Sequence, residues 1–291
     1  MAKNVLLFLM IVKCANFVWT NVFNIRFFEV IKQMIYDLQK PTLWKRVSAY
    51  LLDIVLIITL AVGFATVISA ITGYDAKYDQ LIEYRNEFGE KHGIDFNISQ
   101  EDFNKLSTDE QKLFNDKYEE VTKLLIKNEK YMKLNSLVIN LTLITTSLGI
   151  LLAVLCWEFI IPLFLKNGQT VGKKVFGIAV MRTNGVKIST LQLFVRAILG
   201  KYTFEIMLPV FAVLMVVFAN MLLFGVVVIA AISIAQVVAL IVTRNTRQAL
   251  HDLLSDTVTV DLASQLIFDT EEELIKYKEE QHAKMVERSP Y

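Results

Sequence analysis

The sequence predicts an all-α integral membrane protein with about four transmembrane helices, a small cytoplasmic β-hairpin and an extracytoplasmic helical insertion. Three observations support this fold class. The 291-residue chain is 54% hydrophobic with a mean hydropathy of +0.46, which is more apolar than an ordinary soluble domain. Several long stretches carry one charge or none, and the loops between them differ strongly in charge. The lipid bilayer is therefore the first expected partner.

Three apolar stretches have the length of membrane crossings. Residues 47–71 contain Asp53 as their one charge, and residues 134–165 contain Glu158 as theirs. A helix rises about 1.5 Å per residue and needs roughly 20 residues to cross the bilayer core. Residues 207–243 carry no charge but are too many for one straight crossing. We therefore predict transmembrane helices at 41–71 and 134–165 and a transmembrane hairpin at 207–243, which turns near Asn220 or Gly225.

The charges of the loops predict the orientation. Residues 72–133 contain 14 acidic and 10 basic residues, whereas residues 166–201 contain seven basic residues and no acidic one. Basic residues concentrate in cytoplasmic loops. We therefore expect 72–133 to be an extracytoplasmic insertion, and the basic loop 166–206 and the C-terminal segment 244–291 to be cytoplasmic.

The insertion at 72–133 has the signals of helices. Ser107 followed by Glu110 is a capping box, and apolar residues recur after it at helical spacing. An earlier helix over about 78–88 is expected to end at Gly89 or Gly93.

The basic loop has the signals of strands. Residues 175–180 are β-prone, the Asn184–Gly185 pair predicts a hairpin turn, and residues 186–188 are expected to form the return strand. "TVTV" at 257–260 is a candidate third strand, and Thr190 is expected to cap a cytoplasmic amphipathic helix.

The N-terminal extension, 1–40, allows more than one interpretation. "VLLFLMIV" at 5–12 is similar to the apolar region of a signal peptide, but no small-residue cleavage site follows it. An interfacial helix fits the scattered polar residues. Met34 is an alternative start of the natural chain. The signal-like segment, the interfacial helix and the start at Met34 all stay open.

Several function classes lack support in the sequence. There is no nucleophile with a base, no cofactor fingerprint and no basic patch with aromatic residues, so we expect no enzyme, no cofactor and no nucleic acid partner. The histidines are far apart and predict no metal site, and Cys14 and Cys156 predict no disulfide. Gly168 and Gly172 are too close together for a phosphate-binding loop.

Several motifs together resemble the RDD family of bacterial membrane proteins over about residues 41–262. They are Arg46 with Asp53, the loop "GQTVGKKVFGIAV", Arg196 downstream, and "RQALHDLLSDTVTV". The loop contributes Gly168, Gln169, Thr170, Gly172 and Lys173. The family is named after one Arg and two Asp, and by position these are Arg46, Asp53 and Asp252. The resemblance implies a multi-pass protein of the bacterial plasma membrane. Some relatives are described as cation/proton antiporters, and a eukaryotic branch resembles an assembly factor.

The two lone carboxylates suggest a candidate ion or proton site. Asp53 lies about 9 Å from the start of the first span and Glu158 about 10 Å from the end of the second, so in antiparallel helices both lie at one depth from the same membrane face. Two close carboxylates can share a proton or bind a monovalent cation. The alternative is that Asp53 pairs with Arg196 and fixes helix packing. We also expect Arg46 to pair with Asp252 and tie the first span to the last.

Two functions follow from these observations. The first is a transporter-like protein that exchanges a cation for a proton through intramembrane carboxylates. It is expected to work as a homo-oligomer, because four helices enclose little volume. The second is a non-transporting membrane scaffold or an assembly factor for a partner complex.

Overall fold

The fold class is confirmed by the computed structural model, which describes residues 38–219 and 222–288. Four helices in these ranges are long and apolar enough to cross a membrane, and a two-stranded sheet accompanies them. The expectations for the N-terminal extension, including the interfacial helix and Met34, fall almost entirely on residues 1–37 and lie outside the described residues.

The four long helices differ from one another in regularity. Helix α1 is Leu43–Thr72 and α5 is Glu129–Phe164, which contains a π-helical stretch, Leu155–Ile160. Helix α7 begins with Thr190–Phe194, continues as a π-helix over Val195–Met207 and ends with Leu208–Ala219. Helix α8 is Leu222–Val242. Helix α7 ends at Ala219 and α8 begins at Leu222, so the predicted turn position Asn220 lies between them, outside the described residues. The other predicted position, Gly225, is wrong because it lies within α8.

The third long helix begins earlier than the predicted boundary at residue 207. Ser189, rather than Thr190, caps it, and Gln192 completes a capping box. The segment 190–206 was expected to lie in the cytoplasmic loop, with an amphipathic helix after Thr190, because that loop has seven basic residues and no acidic one. The side chains of Arg196 and Lys201 have carboxylate partners in the folded protein, so the helix continues through them.

Residues 57–153 form one compact unit, and the predicted helical insertion lies within it. Helices α2 (Tyr74–Lys91), α3 (Gln100–Lys105) and α4 (Thr108–Lys127) follow α1, and Ser107 and Glu110 form the predicted capping box. Leu81 of α2 and Val121 and Leu125 of α4 are buried. The chain turns after α2 at Gly93, whose φ of +67° favours glycine.

The second unit contains residues 38–56 and 154–288, with the short helices α6 (Val171–Val175) and α9 (Leu250–Leu254) and the terminal helix α10 (Glu271–Arg288). Strand β1 (Ile178–Arg182) pairs antiparallel with β2 (Thr257–Asp261), so that Val180 faces Thr259. Residues of both strands form a buried core: Ala179, Met181, Val258 and Val260.

The predicted hairpin is only partly correct. The Asn184–Gly185 turn is present, and the N–H of Gly185 donates to the carbonyl of Arg182 at 3.0 Å. Residues of the expected return strand form two isolated bridges, Lys187 with Met181 and Val186 with Phe268. The predicted third strand, β2, makes the continuous pairing with β1. Val175, the first residue of the predicted β-prone run at 175–180, is the last residue of α6, the short helix that Thr170 caps.

Candidate functional site

The charges in and beside the long helices of the second unit meet in one buried cluster. Asp53, Glu158, Lys173, Arg196 and Asp252 are each at most 9% exposed. A buried charge is unfavourable unless it has partners. The partners of each charge therefore indicate what it can do.

Asp53 is held by three neutral donors. Its Oδ1 accepts the indole N–H of Trp157 at 2.8 Å and the backbone N–H of Gly172 at 2.9 Å. Its Oδ2 accepts the hydroxyl of Thr170 at 2.5 Å. None of these donors can release its proton near neutral pH, so they fix Asp53 without titrating. Asp53 does not form the alternative pair with Arg196, which binds Asp252.

The loop motif is built around this carboxylate. Thr170 also caps α6, because its Oγ1 accepts the N–H of Lys173. A Cβ at Gly172 would press on the carbonyl oxygen of Ala49 and lie 2.8 Å from the Asp53 carboxylate, so glycine permits the close approach.

Gln169 anchors the loop by donating to the carbonyl of Ile178 at 2.7 Å, and Gly168 has a φ of +60°.

Glu158 has a different kind of partner. It lies in the π-helical stretch of α5, and among the described residues its carboxylate bonds to the ammonium groups of Lys173, at 3.5 Å, and Lys201. Lys201 itself lies in the π-helix of α7. Such π-helical turns are rare and often occur at functional sites. Burial lowers the pKa of Lys173 to about 8, with Lys201 and Arg196 acting in the same direction and Glu158 opposing them.

The structure brings the two predicted carboxylates into one cluster but gives them separate partners. Trp157, which binds Asp53, precedes Glu158 in the chain, and Gly172, which also binds Asp53, precedes Lys173. Both oxygens of Asp53 are occupied by neutral donors, whereas Glu158 binds two lysines. The arrangement does not correspond to two carboxylates sharing one proton.

The predicted ion pair between Arg46 and Asp252 is wrong. Asp252 pairs with Arg196 at 2.9 Å, and both side chains are 3% exposed. Arg46 instead donates to the carbonyl oxygens of Arg247, at 2.8 Å, and Thr259, at 3.0 Å. Burial opposes ionisation of Asp252, but the charges of Arg196, His251 and Arg46 together hold its pKa below its usual value.

A third group of side chains was not predicted from the sequence. Glu205 accepts from the amide of Gln236 at 2.7 Å and lies 2.7 Å from Nδ1 of His251. Gly200 makes room for His251, since a Cβ at this glycine would lie 2.5 Å from the Cβ of His251. One signal was present in the sequence: Glu205 is the one acidic residue between Glu158 and Asp252.

A cavity of about 150 Å³ lies within the cluster. Its lining includes Arg46, Asp53, Lys173, Arg196, Lys201, His251 and Asp252. Among the residues that the structure describes, no three His, Cys, Asp or Glu side chains are grouped as ligands of a metal ion.

Comparison with known proteins agrees with the extent of this cluster. A family model described as the RDD family matches residues 40–256, a range that includes every residue that lines the cavity except Thr259. Neither the curated proteins nor the solved structures contain a significant match to the chain.

Proposed function

Because the chain belongs to the RDD family and has four helices suited to crossing a membrane, we propose that it is a membrane transporter that exchanges a monovalent cation for a proton. The observation that carries this proposal is the position of Glu158. Its carboxylate is buried within a long apolar helix and is held by two lysines. An ionisable residue in such a helix is a functional candidate by default.

In the proposed exchange, a monovalent cation replaces the ammonium group of Lys173 at the Glu158 carboxylate. The ammonium group of Lys173 releases its proton to water in the cavity that Lys173 lines, and a monovalent cation takes its position against the Glu158 carboxylate. One carboxylate with two ammonium groups carries the same charge as one carboxylate with one ammonium group and one bound cation. The buried cluster therefore keeps its charge throughout the exchange, which limits the electrostatic penalty.

The pKa of Lys173 supports this role. At about 8, it allows the ammonium group to lose its proton within the physiological range, which an ordinary lysine does not do. Below pH 8 the ammonium group occupies Glu158 and excludes the cation. Above pH 8 the neutral amine no longer competes, so cation binding and exchange increase as the pH rises.

Lys201 has a holding role in this proposal. It bonds to the second oxygen of Glu158 from the π-helix of α7 and keeps the carboxylate in place while Lys173 and the cation alternate.

Proton movement in liposomes tests the proposal. Purified protein is reconstituted with a pH-sensitive dye inside, and NaCl, KCl or choline chloride is added outside. We expect Na⁺ or K⁺, but not choline, to make the interior alkaline, and more rapidly at pH 8.5 than at pH 7. A wild-type protein that moves no protons in response to either cation at these pH values overturns the proposal.

Two variants locate the exchange. Lys173→Arg keeps a positive charge beside Glu158 but does not release its proton, so the folded variant is expected to lose exchange. Glu158→Gln removes the cation site and should also be inactive. The matched control is Glu129→Gln, an exposed carboxylate at the start of the same helix, which should transport normally. Full activity in folded Lys173→Arg protein contradicts the mechanism.

The orientation and assembly belong to the same proposal. We propose a cell-membrane protein with residues 72–133 outside and both ends of the core in the cytoplasm, from the charge difference between the loops. Single cysteines at Gln100 and Asn184, in a Cys-free background, should be labelled in intact cells at the first position and protected at the second. We also expect a homo-oligomer, measurable as the mass of the solubilised protein.

The second candidate is a non-transporting scaffold or assembly factor, and Asp53 favours it. A carboxylate saturated by three fixed neutral donors ties the loop motif to α1 and needs no change during function. Two results together support this candidate over transport. The folded wild-type protein is inactive in the liposome assay, and the wild type and Glu158→Gln co-purify with the same membrane complex.

A further inference from the structure

The cavity in the charge cluster is lined by more positive than negative groups. Arg46, Lys173, Arg196 and Lys201 contribute to its wall, against the carboxylates of Asp53 and Asp252. Its volume of about 150 Å³ is several times the roughly 30 Å³ that one water molecule occupies in the liquid. There is room for a compact group of several heavy atoms.

The two carboxylates in the wall are already engaged. Asp53 accepts three hydrogen bonds that involve both of its oxygens. Asp252 pairs with Nη1 of Arg196 and accepts the backbone N–H of Ala249. Glu158, which does not line the cavity, binds Lys173 and Lys201. Among the described residues, Arg46 is therefore the wall cation that no carboxylate binds, since it donates to carbonyl oxygens.

Two arginine donors beside this space lack an acceptor. The Nε of Arg196 and the Nε of Arg46 are buried and have no hydrogen-bond partner among the described residues. The Arg196 side chain is 3% exposed, so bulk water does not replace the acceptor. Leaving a buried charged donor unpaired is costly, and an acceptor within the cavity would remove that cost.

We propose that this cavity binds a phosphate-type oxyanion, either free phosphate or the phosphate of an anionic lipid headgroup. The unpaired Nε groups of Arg46 and Arg196 donate to its oxygens, and Lys201 adds positive charge. Arginine suits this task because its planar, weakly hydrated guanidinium matches phosphate geometry. The anion site does not require Glu158 to exchange ions, but it shares its cavity with the water that accepts the Lys173 proton in the transport proposal.

Delipidated protein in detergent provides the test. Binding of inorganic phosphate is measured by calorimetry and by the shift of the thermal unfolding midpoint. Binding of phosphatidylglycerol, with phosphatidylcholine as the zwitterionic comparison, is measured by native mass spectrometry. These two arms distinguish the free anion from the lipid headgroup.

Two variants remove the site in different ways. Arg46→Gln deletes one donor and one charge, and should weaken binding about tenfold or more. Ala249→Leu fills the cavity, whose wall includes Ala249, and leaves every charge in place. Their matched controls are Arg244→Gln and Ala263→Leu, exposed positions outside the cavity, which should bind as the wild type does.

The outcomes separate cleanly. Loss of phosphate binding in both cavity variants, but not in the controls, supports a site for the free anion. The same pattern with phosphatidylglycerol alone supports a lipid site. Binding that is equal in all five proteins, or no binding of phosphate or phosphatidylglycerol by folded wild-type protein, overturns the proposal.

Discussion

Asp53 and Glu158 are both carboxylates buried in long apolar helices, yet their surroundings differ. Asp53 is bound by an indole, a hydroxyl and a backbone N–H, while Glu158 is bound by two lysines. Neutral donors on short, constrained segments hold a carboxylate in one state. Lysines on long flexible side chains can lose a proton or move away. The comparison suits Asp53 to stabilising the fold and makes Glu158 the carboxylate at which we propose exchange.

Removal of the Asp53 side chain should produce the largest loss of stability. Asp53→Ala leaves three buried donors without their acceptor, and we expect it to lower the free energy of unfolding by about 3–5 kcal/mol. Asp53→Asn keeps one acceptor oxygen but turns an N–H₂ group toward a donor, so a smaller loss of about 1–3 kcal/mol is expected. Chemical unfolding in detergent measures both.

The control for this comparison is Asp116→Ala, an exposed carboxylate on α4. It should change stability by no more than about 0.5 kcal/mol. If Asp53→Ala were as stable as this control, the carboxylate would not be the fixed centre of the loop motif.

The pair between Arg196 and Asp252 should behave as a second fixed contact. Loss of either partner leaves the other charge buried, and each single alanine variant is expected to lose about 3 kcal/mol. The double variant should lose less than the sum, with a coupling of about 1–3 kcal/mol. The cycle of Arg46 with Asp252 should show weaker coupling, because Arg46 bonds to carbonyl oxygens instead. Equal coupling in the two cycles would contradict the assigned pairing.

Substitution of Gly172 by alanine should lower the stability of the protein, because oxygen atoms of Ala49 and Asp53 lie close to this glycine. The added methyl group in Gly172→Ala would collide with the Ala49 carbonyl and the Asp53 carboxylate, and overpacking of this kind costs about 1–3 kcal/mol. Gly63→Ala on the same helix as Asp53 is the control, since a Cβ there meets no atom within 4 Å. It should be neutral or stabilising by up to about 1 kcal/mol. Equal stability of the two variants would show that the close approach has no consequence.

The parts of the fold that depend on neighbouring residues were predictable from the sequence. The apolar lengths of α1 and α5, the capping box of Ser107 and Glu110, and the β-propensity at 257–260 are local signals. A helix from Thr190 was predicted, but its continuation through Arg196 and Lys201 into the apolar stretch was not, because these charges are acceptable inside a membrane helix only when partners neutralise them. Those partners, Asp252 and Glu158, are distant in the sequence.

The site was predictable as a set of residues but not as a set of contacts. The family motif named Arg46, Asp53 and Asp252, and all three line one cavity in the structure. Helix depth alone suggested that Asp53 faces Glu158. The donors that bind Asp53 are instead Trp157, Thr170 and Gly172. The spacing of residues along the chain does not determine which of several nearby donors binds each carboxylate.

The smallest expected effect is a pH dependence of stability that belongs to Lys173. Its pKa is about 8 in the folded protein and about 10.5 in the unfolded chain, so between these values the unfolded state binds more protons. Stability therefore rises with pH in this window, by about 1 kcal/mol between pH 8 and pH 9. Lys173→Arg keeps the charge but does not titrate there, so subtracting its pH profile from that of the wild type isolates the contribution of this lysine. If the wild type and Lys173→Arg had the same slope, Lys173 would be a fixed partner of Glu158, and the difference between the two carboxylates would disappear.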